Sequence, residues 1–399
     1  MEFEGKHILL GVTGGIAAYK SVELLRLFKK AGADVTVSMT EAATRFVGKT
    51  TFEVLSENPV LCDLWTDTQS SVTHIDVATR SDLAVVAPAT ANCIGKLAHG
   101  IADDALTTTM LALTCPVMIC PSMNTDMYQN MRVQNNLDIL EKSGMDIIDP
   151  DSGALACKTV GAGRLPEPWF IFDRVCALLT KKDLKGKKVL VSAGPTLESI
   201  DPVRYISNHS SGKMGYAIAR AAEQRGAFVT LVSGPVSLET PIGVERINIE
   251  SCDQMADAML SNLERADVII KVAAVADYKP VSTEDKKIKK TDESTSMSLA
   301  LSENVDILKA IGNIKRPDQI LVGFAAETND LEMHAKAKMK KKNLDMIAAN
   351  LVGGEDSGFR ADTNKVKLFT RNGNVVDIPL MSKEKVAHSI LDAIVKIIY

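Results

Sequence analysis

The chain has 399 residues, with 46 Lys plus Arg against 50 Asp plus Glu and a formal charge of -4. At roughly 100 to 200 residues per domain it is expected to hold two domains, and the near balance of charge offers no broad basic field to nucleic acid. A composition of 46% hydrophobic, 24% charged and 5% aromatic residues, with a longest apolar run (Leu106 to Cys120) broken by three Thr and stopped by Pro121, predicts an aliphatic globular core and no membrane span.

Lys6 to Val12 is a β-type run, the turn Thr13-Gly14-Gly15 follows, and Ile16 to Lys30 has helical spacing that puts Leu24, Leu27 and Phe28 on one face. Strands are then expected at Asp34 to Ser38, Asp82 to Pro88, Pro116 to Cys120 and Asp146 to Ile148, alternating with helices that begin near Glu41, Thr51, Asn92 and Asn124. This alternation indicates a parallel sheet covered by helices. From Asp149 to Pro168 the regularity fails over a Gly-rich stretch, read as a lid, before a helix through Trp169 to Leu179. The charged stretch from Lys181 to Lys188 marks a boundary, giving domains 1–183 and 184–399.

The pattern restarts with strands at Val189 to Ser192, Phe228 to Val232, Val268 to Val275, Ile320 to Phe324 and Met346 to Ala349. This second α/β unit carries a long loop from Gly194 to Gly212, a Lys-rich segment from Lys279 to Thr291, and a C-terminal hairpin turning at Asn372-Gly373. The fold class expected is therefore α/β: two Rossmann-like units, the first flavodoxin-like, the second a parallel sheet with a C-terminal hairpin. The N-terminus lacks the features of a secretory signal, and the seven Cys are scattered without a CxxC pair. A cytoplasmic protein with reduced thiols and no zinc site is expected.

A strand, a glycine turn and a helix start point backbone N–H groups and a positive helix end at one place, so Gly14 and Gly15 either hold a phosphate or only make a tight turn. The second strand ends in Ser38-Met39-Thr40, hydroxyls where a dinucleotide site would carry an acid, so a mononucleotide such as FMN fits better than NAD. Thr90 and Asn92 after Ala87-Pro88-Ala89, and Asn124 through Met127 after Pro121-Ser122, stand at the carboxyl edge of the sheet, where ligands bind; each stretch also reads as a helix cap. His74 is isolated and is either structural or catalytic. Cys157 sits in the lid, where a thiol has little to pack against and a proton donor could be carried onto a substrate.

These stretches, with Gly100-Ile101-Ala102-Asp103-Asp104 and Gly161-Ala162-Gly163-Arg164 in the same order, resemble the flavin-dependent cysteine decarboxylase family along the whole first unit. The resemblance implies a phosphopantothenoylcysteine decarboxylase with bound FMN. In that family the flavin oxidises the cysteine side of the substrate to a thioaldehyde, CO2 is lost, and the ene-thiol is reduced back. It implies His74 as base or orienting group, Asn124 and Met127 at the substrate carboxylate region, and Cys157 as the proton donor of the final reduction. Lys158 departs from the Gly that many relatives carry after that cysteine.

In the second unit, Gly212-Lys213 fails the phosphate-loop spacing because Met214 follows. Asp277 closes a buried strand, where it suits Mg2+ or a nucleotide hydroxyl, or simply caps a helix. Lys287 to Lys290 and the Lys-rich helix from Lys336 to Lys342 read as solvated charge or as phosphate partners. Set in order, these stretches resemble phosphopantothenate-cysteine ligases, and the fusion resembles the bifunctional family of bacterial coenzyme A biosynthesis. The resemblance implies CTP-dependent activation of 4'-phosphopantothenate to an acyl-cytidylate that cysteine then displaces. It implies Asn208 at the acyl-cytidylate, Asp277 and Lys287 at the nucleotide with Val305, Asp306, Ile307 and Leu308, Phe324 at the base, Lys338 and Lys342 at the phosphates, and Mg2+ beside CTP. It also implies a homo-oligomer of decarboxylase trimers linked by ligase dimers, acting on small molecules. Val305 stands where relatives often carry Pro, and Lys271 is an unexplained charge in an apolar strand. A NAD-dependent oxidoreductase is disfavoured by the missing acid; an FMN-binding regulatory or assembly protein without decarboxylase activity is the remaining alternative.

Overall fold

In the computed structural model, which describes residues 3–65, 73–154, 160–289, 297–327, 331–351 and 361–399, the apolar run HILLGV is a strand buried along its whole length. It belongs to the first of two compact units, Met1–Leu179 and Thr180–Tyr399. In the first unit, β1 (His7–Val12), α1 (Ala18–Lys30), β2 (Asp34–Met39), α2 (Lys49–Ser56), α3 (Thr73–Arg80), β3 (Leu83–Ala89), α4 (Ala91–Ala98), α5 (Ala105–Leu111), β4 (Val117–Pro121), α6 (Thr125–Gln129), α7 (Met131–Lys142) and β5 (Asp146–Ile147) alternate as expected. They are followed by β6 (Asp151–Ala154), β7 (Val160–Arg164) and α8 (Pro168–Leu179). The five-stranded sheet has the order β2-β1-β3-β4-β5 and is parallel throughout, the flavodoxin-like order with its reversal between β1 and β3.

The alternation of side chains along β1 builds both layers of the core. Ile8, Leu10 and Val12 pack with Leu24, Leu25 and Phe28 of α1 and Ile171 and Val175 of α8. Leu9 faces the other way, with Ile94, Leu106 and Leu140. Each such side chain, fully buried, contributes about 2 kcal/mol relative to exposure. β1 approaches its neighbours closely at Gly11, where a Cβ would lie 2.7 Å from Leu106 Cδ1 and 3.2 Å from Val86 Cγ2.

In the second unit the parallel strands are β8 (Lys188–Ala193), β11 (Phe228–Ser233), β12 (Val244–Asn248), β13 (Val268–Lys271), β16 (Ile320–Glu327) and β17 (Met346–Leu351). Their order is β12-β11-β8-β13-β16-β17, the Rossmann order with its reversal between β8 and β13, and β18 (Thr363–Thr370) and β19 (Val375–Ser382) extend it antiparallel. Helices α9 (Lys213–Gln224), α10 (Cys252–Leu263), α11 (Ile307–Ile314), α12 (Leu331–Lys341) and α13 (Lys383–Ile398) complete it. Short antiparallel pairs, β9 (Leu197–Ser199) with β10 (Tyr205–Ser207) and β14 (Tyr278–Pro280) with β15 (Leu301–Glu303), lie outside the main sheet.

Several elements differ from the sequence reading. The stretch expected as an irregular lid carries the antiparallel pair β6–β7, with residues 155–159, hence Cys157 and Lys158, outside the described residues. The helix near Glu41 is a 3-10 turn at Glu41–Arg45, capped by Thr40. The strand expected to reach Val275 ends at Lys271, because Ala273 N donates to Ser192 Oγ (3.2 Å) and Ala274 N to Gly194 O (3.0 Å), drawing the chain across the sheet edge. The Gly194 to Gly212 loop contains β9 and β10, and the Lys-rich segment opens with β14.

Arg225, 4% exposed, ties the beginning of the second unit to its last helix. Its Nε and Nη2 donate to both carboxylate oxygens of Asp183, each at 2.7 Å, and its Nη1 to Asp392 Oδ1 (2.7 Å) and His388 O (3.1 Å). Arg225→Met strands the largely buried Asp183 without this partner and is expected to lower the unfolding free energy by about 3 kcal/mol. Urea denaturation checks this; a change within about 0.5 kcal/mol, as for an ordinary surface substitution, contradicts it.

Candidate functional sites

At the reversal in the first sheet, a chain of hydrogen bonds ties the strand ends together. Thr13 Oγ1 donates to Pro88 O (2.7 Å) and accepts from Thr90 N (3.0 Å), so the turn after β1 and the start of α4 form one piece. Ser21 Oγ donates to Ala87 O (2.6 Å), and Ser122 N donates to Ala89 O (3.0 Å). Gly14 is packed so closely that a Cβ would lie 2.4 Å from Ala42 Cβ, whereas at Gly15 the nearest atom, Thr90 Cγ2, is at 3.7 Å. Thr90 Oγ1 caps α4, accepting from Cys93 N, and Asn92 is exposed on that helix. Thr40 is partly exposed at the end of β2, while Ser38 is fully buried and donates to Leu61 O (3.3 Å).

The next strand end is covered by the hairpin. Met123 N donates to Gly163 O (3.0 Å), and Gly163 (φ +140°) lies so close that a Cβ would meet Met123 O at 2.1 Å. Asn124 Oδ1 accepts from Asp126 N (2.9 Å) and Met127 N (3.4 Å), which orients its amide, and Met127 is 49% exposed. Thr125 Oγ1 is buried without a hydrogen-bond partner, beside Gly161. Lys20, which sequence reasoning passed over, is buried and donates to Leu165 O (2.9 Å) and Glu167 Oε1 (3.0 Å), pinning the hairpin's return to α1. His74 is half-buried in the first turn of α3. The structure thus gathers Gly14, Gly15, Thr90, Asn124 and Met127 around the carboxyl edge with neutral hydroxyl and amide groups, a donor set and apolar surface that fit a flavin mononucleotide. Cys93 and Cys120 are buried in the core, and burial pushes the Cys93 thiol up to about 12 and Cys120 higher still, so neither is a nucleophile.

At the reversal in the second sheet lies a cavity of about 660 Å³. Asn208, Asp277, Val305, Asp306, Ile307, Leu308, Phe324, Lys338 and Lys342 all line it. Asn208 Nδ2 donates to Ala274 O (3.1 Å), Lys338 Nζ to Phe324 O (3.0 Å), and Lys342 Nζ lies 2.9 Å from Asp306 Oδ2. Partial burial alone would raise the Asp306 carboxyl, but the Lys342 ammonium and the Lys309 N–H hold it below the usual carboxylate range. Lys287 is not brought there: it is exposed, and its neighbour Ile288 is held through N to Asp201 Oδ2 (3.1 Å) and through O by Arg204 Nη2 (2.7 Å).

Other cavity residues have no site role in the sequence reading. Gly194 (φ +77°) makes the turn after β8, Gly212 (φ +77°) opens α9, and a Cβ on Gly215 would sit 2.5 Å from Ala193 Cβ. They stand where the glycines of a dinucleotide-type turn would stand, at the two ends of the 195–211 excursion. Asn304 Nδ2 donates to Ala276 O (2.8 Å), while its Oδ1 is buried with no partner, an acceptor suited to a ligand N–H or O–H. Lys271, no longer unexplained as packing, lines the same cavity with Nζ on Ala273 O (2.8 Å). No group of three or more metal-binding side chains occurs among the described residues, and no helix there is long and apolar enough to cross a membrane.

The sequence model of the family described as "Flavoprotein" matches residues 1–180, and that of the "DNA/pantothenate metabolism flavoprotein C-terminal domain" matches residues 184–398. A Bacillus subtilis (strain 168) protein named Coenzyme A biosynthesis bifunctional protein CoaBC is 50% identical over 394 residues, 98% of this chain and 96% of that one. An Escherichia coli (strain K12) protein of the same name is 43% identical over 398 residues, 99% and 98% of the two chains. A crystal structure of the C-terminal domain of a protein of that name is 42% identical, with a TM-score of 0.47, covering 54% of this chain and 98% of that one.

Because Gly163 leaves no room for a side chain against Met123, Gly163→Ala is expected to loosen the hairpin and speed limited proteolysis within residues 160–164 several-fold. Unchanged cleavage would remove the hairpin from the construction of this edge.

Proposed function

The chain belongs to the family of coenzyme A biosynthesis bifunctional proteins CoaBC, and on that premise we propose which of its residues perform the two reactions. It is a bifunctional enzyme with phosphopantothenate-cysteine ligase and phosphopantothenoylcysteine decarboxylase activities. The observation that carries the residue assignment is the convergence of Asn208, Asp277, Phe324, Lys338 and Lys342 on one cavity.

In the ligase half, residues 184–399, the carboxylate of 4'-phosphopantothenate attacks the α-phosphate of CTP and pyrophosphate leaves. The amine of cysteine then attacks the acyl carbon, and CMP leaves with the C–O electron pair. Lys338 and Lys342 neutralise the charge that gathers on the phosphates. Asn208 donates to the acyl-cytidylate, and the Phe324 ring walls the base beside Val305, Ile307 and Leu308. Asp277 would hold the Mg2+ of the triphosphate, since a magnesium site of this kind needs only one or two carboxylates besides phosphate oxygens. Lys287 would serve the first step only if the segment that Asp201 and Arg204 anchor carried it to the cavity from its exposed position.

In the decarboxylase half, residues 1–183, Gly14, Gly15, Thr40, Thr90 and Asn92 would hold FMN, while Ser38, expected among them from the sequence, is buried with its hydroxyl on Leu61 O and supports the strand end from within the core. When bound, FMN supplies the reversible two-electron oxidation of the cysteine moiety. Asn124, its amide oriented by the first turn of α6, and Met127 hold the substrate carboxylate end. His74 orients or accepts the proton released from the thiol, and Cys157 returns a proton in the last step. An exposed outer strand, β19, with Val375, Val376 and Leu380 on its surface, and exposed Ile16, Tyr19 and Trp65 in the first unit leave apolar surface for self-association, and the family resemblance suggests decarboxylase trimers linked by ligase dimers. The working compartment is the cytoplasm.

Cys157→Ser is expected to release CO2 yet accumulate the oxidised ene-thiol product; normal turnover would remove Cys157 as donor. For the ligase, CTP and 4'-phosphopantothenate without cysteine separate the steps. Lys342→Gln and Lys287→Gln are each expected to cut pyrophosphate release about tenfold, whereas Asn208→Asp retains part of that release but transfers poorly to cysteine. Near-normal ligation by all three variants would move the nucleotide elsewhere.

A further inference from the structure

The reaction as assigned leaves three lysines of the cavity without a role, Lys213, Lys271 and Lys383; of these, Lys271 stands with Lys338 and Lys342. Lys271 closes β13, between Ser192 of β8 and Gly323 of β16 in register, so neither flanking strand offers it a counter-charge. Its Nζ is on Ala273 O at 2.8 Å, a neutral acceptor. The groups that act on it are Lys338 and Lys342 at the end of α12, Asp306 at the start of α11 and the Cys252 thiol at the start of α10. Asp306 is already paired with Lys342 at 2.9 Å. Lys271 is therefore a third ammonium beside two others, with the nearest carboxylate shared.

We propose that Lys271 is a third polyphosphate-binding residue of the ligase cavity, and that it takes up its proton when the nucleoside triphosphate binds. The proposal rests on the nucleotide reading of this cavity. Burial, with Lys338 and Lys342 adding to it, lowers Lys271 to about 8 in the free protein, so near that pH about half of the molecules carry it uncharged. A triphosphate laid against Lys338 and Lys342 replaces their repulsion by attraction and raises the Lys271 pKa. The sign follows: below about pH 6.5 Lys271 is protonated before and after binding, and no proton moves. Near pH 8 binding draws in about half a proton per nucleotide, and nucleotide affinity falls as the pH rises further.

Titration calorimetry of the full-length protein with CTP and Mg2+, in buffers of different ionisation enthalpy, reads the proton directly. The wild type is expected to take up about half a proton near pH 8 and close to none near pH 6.5. Lys271→Arg, which stays charged, is expected to bind CTP with no uptake near pH 8 and with an affinity that no longer falls above it. Lys271→Met, close to isosteric with the lysine stem, is expected to lose the uptake and bind about tenfold more weakly near pH 6.5. CTP bound by the wild type without proton uptake near pH 8 overturns the proposal alone. Uptake that survives in Lys271→Met or Lys271→Arg also overturns it, moving the proton to another group such as Lys383, which burial likewise depresses. No binding of CTP to the wild type overturns the nucleotide reading and the proposal with it.

Discussion

In a parallel sheet, the crossovers that leave from the carboxyl ends of two adjacent strands go to opposite faces wherever the strand order reverses, and the space between those ends is left uncovered. Both units are built on that constraint. Between β1 and β3 it leaves the crevice spanned by Thr13 and Thr90; between β8 and β13 it leaves the cavity reached by Asn208 and Asp277. The core does not compete for these places, because the strand interiors are already filled on both faces by aliphatic side chains. Polar and charged residues at the strand ends are therefore available for chemistry.

The two crevices are furnished differently, in keeping with the work assigned to them. The first is lined by hydroxyl, amide and apolar groups, and its hairpin is fixed to Met123 and, through Leu165 and Glu167, to Lys20. Such a site suits a ring-shaped redox cofactor and a substrate whose charge must be lost as CO2. The second concentrates Lys271, Lys338 and Lys342 with Asp277 and Asp306. This is the equipment for reactions in which phosphate charge is moved and a leaving group must be stabilised.

The strands with continuous apolar runs were legible in the sequence, because burial on both faces leaves no alternation to misread. β12 was not, since it is an edge strand whose VERIN sequence is mostly partly exposed. The β6–β7 pair reads as irregular in sequence because its glycines answer to a tertiary contact, the approach of Gly163 to the Met123 carbonyl. Strand-end residues such as Thr90, Asn124 and Asp277 could be picked out because position in a parallel sheet implies exposure at one edge. The roles of Thr13, Lys20 and Asn304 could not, because each depends on a partner distant in sequence. Lys287 reads as a cavity lysine in sequence, but the segment carrying it is anchored by Asp201 and Arg204. Lys271 reads as an anomaly until the Lys-rich end of α12 is folded beside it.

The central claim is that one chain carries both reactions in succession. Purified protein supplied with 4'-phosphopantothenate, carboxyl-labelled cysteine, CTP and Mg2+ tests it by simultaneous measurement of pyrophosphate, CMP, labelled CO2 and 4'-phosphopantetheine. All four products are expected in equal amounts. Release of pyrophosphate and CMP without labelled CO2 would contradict the decarboxylase half, and failure to form CMP while added phosphopantothenoylcysteine is still decarboxylated would contradict the ligase half.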